Sequence, residues 1–305
     1  MNKQLRGSIL LLITAVIWGT AFVAQSKGMD YVEPFTYNSI RTLIGGIVLV
    51  PIIIIFRTAD KKHFHKGVPN EHSKATVRGG ICCGILLFIA SSFQQYGISI
   101  TTAGKAGFIT ALYVVIVPIL GIFLKRKTGL KVWVSVVIAV TGFYLLCIHD
   151  GLRLSKGDLY VLICAFFYAV HILAVDFFNE NNAYGMIMSC IQFFTAGILM
   201  GICMLIFEEP HIADILSAKY TILYTGIMSC GAAYTLQIIG QKTTPPALAT
   251  LLMSLESVFA ALSGRLFLSE KMSAKELTGC ILVFTAVISA QISFSKPKTN
   301  KQSRP

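Results

Sequence analysis

Residues 7–25, GSILLLITAVIWGTAFVAQ, return in altered form at residues 157–175, GDLYVLICAFFYAVHILAV. Gly7-Ser8 falls on Gly157-Asp158, Leu12-Ile13 on Leu162-Ile163, Ala15 on Ala165 and Trp18 on Tyr168. Each stretch has about the 20 apolar residues that a helix needs to cross a hydrocarbon core of roughly 30 Å. Similar stretches recur along the chain. Spans are expected near 7–25, 35–56, 79–98, 103–124, 132–148, 158–178, 186–207, 222–240, 246–268 and 277–294. Further matches keep the same order. Span three lays Ala90, Gln94, Gly97 and Thr101 on Ala233, Gln237, Gly240 and Thr244 of span eight. Span two lays Arg41, Gly46 and Phe56 on Gln192, Gly197 and Phe207 of span seven. Span four lays Leu112 and Leu124 on Glu256 and Leu268 of span nine. Polar and glycine matches in one order mark an internal repeat. The expected fold is all-α and integral to a membrane. Ten transmembrane helices form two five-helix repeats, residues 1–148 and 157–294, followed by a basic tail at 295–305. Five is odd, so the second repeat must cross with inverted orientation.

Composition agrees: 55% of the 305 residues are hydrophobic, too many for a soluble chain of this length. Little sequence is left for an attached catalytic domain. The formal net charge of +12 admits nucleic acid as a partner, but the placement of the charges argues for topology instead. With both termini in the cytoplasm, inside segments hold Lys61, Lys62, Lys66, the run Lys125-Arg126-Lys127, and Lys296, Lys298, Lys301 and Arg304. Outside segments hold only scattered cations such as Lys27, Arg153, Lys219 and Lys271. The loop after span nine, Ser269-Glu270-Lys271, is of mixed sign where its counterpart after span four is purely basic, as inversion requires. The remaining basic excess suits anionic lipid, and no nucleic acid is expected. Lys3 and Arg6 before an apolar run imitate a signal peptide, but the repeat match favours a retained helix. The eight cysteines all fall in spans and make no C-x-x-C pair, so they read as packing residues. His63, His65 and His72 sit in a basic loop with no acidic or cysteine cluster, so no metal is expected.

Polar residues inside the spans are the candidates for function, because a charge at a helix centre costs about 2.5–3.5 kcal/mol on insertion scales. Glu256, near the middle of span nine, either binds a substrate amine or a proton, or locks helices together. Arg41, in span two, binds a carboxylate, pairs with Glu256 or bonds backbone carbonyls. Trp18 lies mid-span, away from the interfacial belts, and its indole N–H needs a partner there. Its repeat mate Tyr168 shares a face with His171, which either titrates or hydrogen-bonds across helices. Gln94 and Gln237 suit a pore lining or an interhelical bond, as do Tyr113, Gln192 and Tyr234. Arg265 and Lys105 lie near the outer ends and are expected to snorkel. Gly80-x-x-x-Gly84 and Gly197-x-x-x-Gly201 permit close helix approach. Gly104-Lys105-Ala106 imitates part of a phosphate loop but has serine at 99 and no Ser or Thr after the lysine.

Local patterns point further. Trp18-Gly19-Thr20-Ala21-Phe22, Gln95-Tyr96-Gly97, Thr101-Thr102-Ala103, Leu112-Tyr113 with Pro118, and Leu255-Glu256-Ser257-Val258-Phe259 before Leu268-Ser269-Glu270 occur in order. Over residues 7–294 the chain resembles the EamA-type family of the drug/metabolite transporter superfamily. The resemblance implies a multi-pass exporter of amino acids, related metabolites or drugs in the cell membrane, working by alternating access with no cofactor. It also implies a substrate path lined by spans one, three, four, six, eight and nine, with parts of two and seven, and with five and ten peripheral. Two departures stand out. Ser257 takes the place of a proline common in the family, so the resemblance does not carry a local helix opening to this point. Arg126 stands where the second half has Glu270. The expected partners are a small-molecule substrate and membrane lipid; a monomer suffices, with the oligomeric state open. The competing classes are an intramembrane enzyme, for which Glu256 and His171 are the buried pair to name, and a non-transporting membrane protein.

Overall fold

The computed structural model describes residues 3–59, 70–101, 103–126, 128–147, 155–181, 183–268 and 273–295. The loop histidines His63 and His65, Glu270 and the tail from 296 onward lie outside them. The described chain is helical, without a strand. Apart from their first and last turns, helices satisfy their backbone N–H and C=O groups internally, which is what a hydrocarbon solvent demands. The first half runs α1 (Lys3–Gly28), α2 (Pro34–Ala59), α3 (Asn70–Ile100), α4 (Ala103–Ala111), α5 (Tyr113–Phe123) and α6 (Leu130–Cys147). The second runs α7 (Lys156–Glu180), α8 (Gly185–Phe207), α9 (Ile212–Ser217), α10 (Lys219–Tyr224), a π-helical segment (Thr225–Tyr234), α11 (Thr235–Gln241), α12 (Pro246–Met253), α13 (Glu256–Leu268) and α14 (Ala274–Ser295). Eight helical stretches are long and apolar enough to cross a membrane, and α6 and α14 supply two shorter apolar ones. Large apolar side chains such as Ile47, Ile55, Val137 and Leu205 face outward, as a lipid-exposed surface requires.

The strongest packing pairs are α3 with α7, α6 with α14, α2 with α8, and α3 with α8. Each joins a helix of residues 3–147 to one of residues 156–295, so the halves interlock. Small residues allow it. A Cβ added at Gly7 would meet Gly240 O at 2.8 Å, and one at Gly84 would meet Gln192 O at 2.8 Å. A Cβ at Gly142 would meet Gly279 O at 2.7 Å. Where lipid removes the hydrophobic drive between helices, such backbone approach is a main source of association. Gly80 faces Ile191, Gly197 faces Leu43 and Gly201 faces Ser39, so both expected glycine pairs are packing features.

Connections gather at two ends. At one, Thr243 Oγ1 donates to Lys3 O (3.1 Å), Tyr184 N donates to Thr76 Oγ1 (3.0 Å), and Arg126 pairs with Asp176 and Glu180. At the other, Thr101 Oγ1 donates to Asp158 (2.8 Å), which also forms a capping box with Ser155. There too, the buried Glu208 at the end of α8 accepts from Phe35 N (2.7 Å), Thr36 N (2.6 Å) and Thr36 Oγ1 (2.8 Å). A carboxylate on the orphan N–H groups of a helix start is favourable through both hydrogen bonds and the helix dipole. Glu208→Ala is expected to cost about 2 kcal/mol, since bonds to a charged acceptor run at about 1.5–3 kcal/mol. Thermal unfolding in detergent measures it, with Glu208→Gln falling between.

Three spans differ from expectation. Span four is not one helix over 103–124: it breaks at Leu112, where Leu112 N reaches back only to Ile109 O (3.1 Å). Span nine breaks at Ser254-Leu255, where Leu255 N bonds Leu252 O (3.4 Å) and Ser257 N bonds Ser254 O (3.2 Å). Both breaks tighten the turn to i→i−3 bonds without a proline. At span nine the Ser254 hydroxyl donates to Leu251 O (2.9 Å), competing with the ladder, and the Ser257 hydroxyl donates across to Gly107 O (2.9 Å). Span eight carries the π-helical Thr225–Tyr234, a geometry that the apolar pattern does not encode.

Candidate functional site

The breaks place two side chains together. Tyr113 is the first residue of α5 and Glu256 the first of α13. The Tyr113 hydroxyl donates to Glu256 Oε1 (3.0 Å), the only bond to this carboxyl group among the described residues. A helix N-terminus carries partial positive charge, so the break gives the carboxylate a setting that a continuous helix would deny it.

Both residues border a cavity between the halves. Eight of the ten candidate residues line it: Trp18, Arg41, Gln94, Tyr113, Tyr168, Tyr234, Gln237 and Glu256. They come from α1, α2, α3, α5, α7, the π segment, α11 and α13. Among the described residues, α6 and α14 contribute none, and neither does α8, although part of span seven was expected to line the path. Phe22, Gln25, Thr110, Ile172 and Ser229 complete the lining and were not foreseen. Phe22 and Gln25 follow Trp18 by four and seven positions, so helical spacing from Trp18 identifies them. Ser229 lies in the π segment, where that spacing fails.

Arg41 is buried, and its Nε donates to Asn38 Oδ1 (2.8 Å). The guanidinium also lies 5.8 Å from the centre of the Tyr37 ring. Among the described residues neither Arg41 nor Glu256 takes part in an ion pair, so the two do not pair with each other. The cavity thus holds one cation and one carboxyl group, each apart from the other. From Arg41 a polar chain crosses between the halves. Asn38 Nδ2 donates to Ser91 O (2.9 Å), and the Ser91 and Tyr168 hydroxyls lie 3.1 Å apart. Tyr168 OH donates to Gln94 Oε1 (3.2 Å), and Tyr234 OH donates to Tyr168 OH (3.1 Å).

Three polar atoms of the lining, Trp18 Nε1, Gln25 Oε1 and Gln237 Oε1, are buried without a hydrogen-bond partner among the described residues. Trp18 stands edge-on to Tyr234 with ring centres 4.7 Å apart. Polar atoms facing a space in this way can hydrogen-bond a water or a polar ligand there. The space open to the centre of a water molecule is only about 30 Å³. That holds about two waters, so a metabolite requires the walls to part.

His171 and Gln192 are the two candidates outside the lining. They bond each other, His171 Nε2 to Gln192 Oε1 at 3.1 Å, tying α7 to α8. His171 and Glu256 therefore have different partners, and the buried pair named for an intramembrane enzyme does not meet. Arg265 is exposed, as expected of a snorkelling residue, and the Lys105 side chain lies outside the description. No group of His, Cys, Asp and Glu arranged to hold a metal occurs among the described residues, and the described cysteines are free.

Comparison with known proteins fits this geometry. The model of the EamA-like transporter family matches residues 5–148 and again 155–290. A relative from Archaeoglobus fulgidus, named only as an uncharacterized transporter, is 28% identical over 287 residues, 94% of this chain and 86% of its own. YedA of Escherichia coli strain K12, an uncharacterized inner membrane transporter, is 25% identical over 289 residues, 90% of this chain and 87% of its own. A crystal structure with 19% sequence identity superposes at a TM-score of 0.75, covering 94% of this chain and 96% of that one, and shares the fold alone. With a helical membrane fold, a polar cavity between interlocked halves and the family model matched along nearly its whole length, the chain belongs to the EamA-like transporter family.

Proposed function

We propose that this membrane transporter is a secondary exporter of small metabolites, among them amino acids, related compounds or drugs, working by alternating access across the cytoplasmic membrane. Ten helices cross as two inverted repeats, 1–148 and 157–294, with the tail and both termini in the cytoplasm. The observation that carries the reading is the central cavity, walled by both halves and holding Arg41 and Glu256 unpaired with each other. A zwitterion suits those two charges, and Trp18, Phe22 and Tyr234 add aromatic walls. Equivalent breaks in spans four and nine support the inverted repeat, since secondary transporters build midplane sites from discontinuous helices. Substrate-screened uptake and efflux in vesicles tests the function. Absence of transport for amino acids, related amines and planar drugs alike would remove it.

The positive-inside pattern supports this orientation. In intact cells an impermeant thiol reagent is expected to miss Lys66→Cys and to label Glu209→Cys. The reverse order would overturn the topology.

A further inference from the structure

A second cavity lies beyond the central one, toward the end that carries Arg126. It is larger, about 320 Å³ on the same measure, and Val117, Pro118, Arg126, Leu173, Pro246 and Ala247 border it. Tyr113 borders the central cavity and Val117 lies one turn further along α5, about 6 Å away. Ile172 and Leu173, adjacent on α7, face one cavity each. The two spaces are therefore neighbours along α5 and α7. Residues 248–255, between Ala247 and Glu256, are all buried.

At the rim of this vestibule Arg126 bridges to α7, pairing with the buried Asp176 and, at 3.0 Å, with the exposed Glu180. The pairing joins the first half to the second. The backbone aims it. Arg126 N bonds Gly121 O (2.8 Å) and Lys125 N bonds Ile122 O (2.9 Å), the Schellman pair that ends a helix. That motif needs a left-handed residue, usually glycine; here it is Lys125, with φ 56°, the one non-glycine residue of positive φ among those described. A non-glycine residue in this conformation is disfavoured, and here it turns the chain so that Arg126 meets α7.

We propose that Arg126 is the gate residue of this end: its ion pairs with Asp176 and Glu180 latch α5 to α7 and close the vestibule. Opening toward this end breaks the pairs and joins the vestibule to the central cavity. The proposal rests on the alternating-access reading, but its test needs no substrate. Ala247→Cys, placed in a chain whose native cysteines are replaced, is exposed to an impermeant maleimide from the Arg126 side. Labelling is expected to be slow. Arg126→Gln and Asp176→Asn should each raise its rate about tenfold, the low end for losing a hydrogen bond to a charged group, while Arg126→Lys restores most of the protection. Lys125→Gly relieves the left-handed strain and should keep labelling slow. Should Asp176→Asn fail to fold, Glu180→Gln at an exposed position still predicts a two- to threefold rise on the order expected for a surface pair. Rates unchanged by Arg126→Gln and by Glu180→Gln in folded protein overturn the latch. Accelerated labelling in a chain that transports nothing would keep the latch and remove the transport reading.

Discussion

Glu256→Gln is expected to leave protein level unchanged and to lower transport by roughly ten- to hundredfold, the loss of a bond between a substrate and a charged group. Glutamine keeps the shape and still accepts the Tyr113 hydroxyl, so the helix contact survives. What disappears is the charge and the ability to exchange a proton. Loss confined to cationic and zwitterionic compounds would place their amino group at Glu256. Equal loss for all compounds, with a flattened pH dependence, would assign Glu256 to proton coupling. Unchanged transport across pH would reduce the residue to a helix lock, as would loss of folded protein. Tyr113→Phe, which removes the one partner and keeps the charge, separates the two effects.

Gly19→Leu is expected to have the largest effect on stability. A Cβ at Gly19 would stand 2.7 Å from Glu256 O and 2.9 Å from Ala260 N, both backbone atoms. Backbone cannot step aside as a flexible side chain can. The substitution therefore drives α1 from α13 at the site of the carboxyl group. Overpacking of this kind costs about 1–3 kcal/mol, read as a lower unfolding temperature in detergent and a smaller folded yield. Gly129→Ala is the control, because nothing lies within 4 Å of its added Cβ. Equal melting of the two variants would show that α1 and α13 do not need this approach.

Both predictions involve residues that the chain marks without a structure. Glu256, Arg41 and Trp18 stand out because polar groups in hydrocarbon need a reason, and the cavity brings all three to one space. The same reasoning selected His171 and Gln192, which the fold pairs with each other instead. Burial cost identifies a polar residue that must have a partner; it does not say whether that partner is a ligand or a neighbouring side chain. The break at span nine was not expected, because Ser257 replaces a helix-distorting proline. The structure makes the break with Ser254 and Ser257 hydroxyls bonded to carbonyls, one of them on α4. A serine in a helix has several available acceptors, and only the packing of α13 on α4 selects among them.

Arg126 shows the same division. In sequence it belongs to a basic run, and the charge of that run is a statement about which side of the membrane the loop occupies. Its pairing with Asp176, fifty positions away, depends on α5 ending in a left-handed Lys125 beside α7. By itself the sequence determined that the chain is helical and lies in a membrane, and which side chains are too polar to face lipid. Those properties follow from transfer free energies summed over about 20 residues at a time. The tertiary structure decided where helices break, which polar residues share a cavity and which charges meet across the halves. Those outcomes depend on contacts between segments far apart in the chain, at distances of a few ångströms that no local pattern specifies.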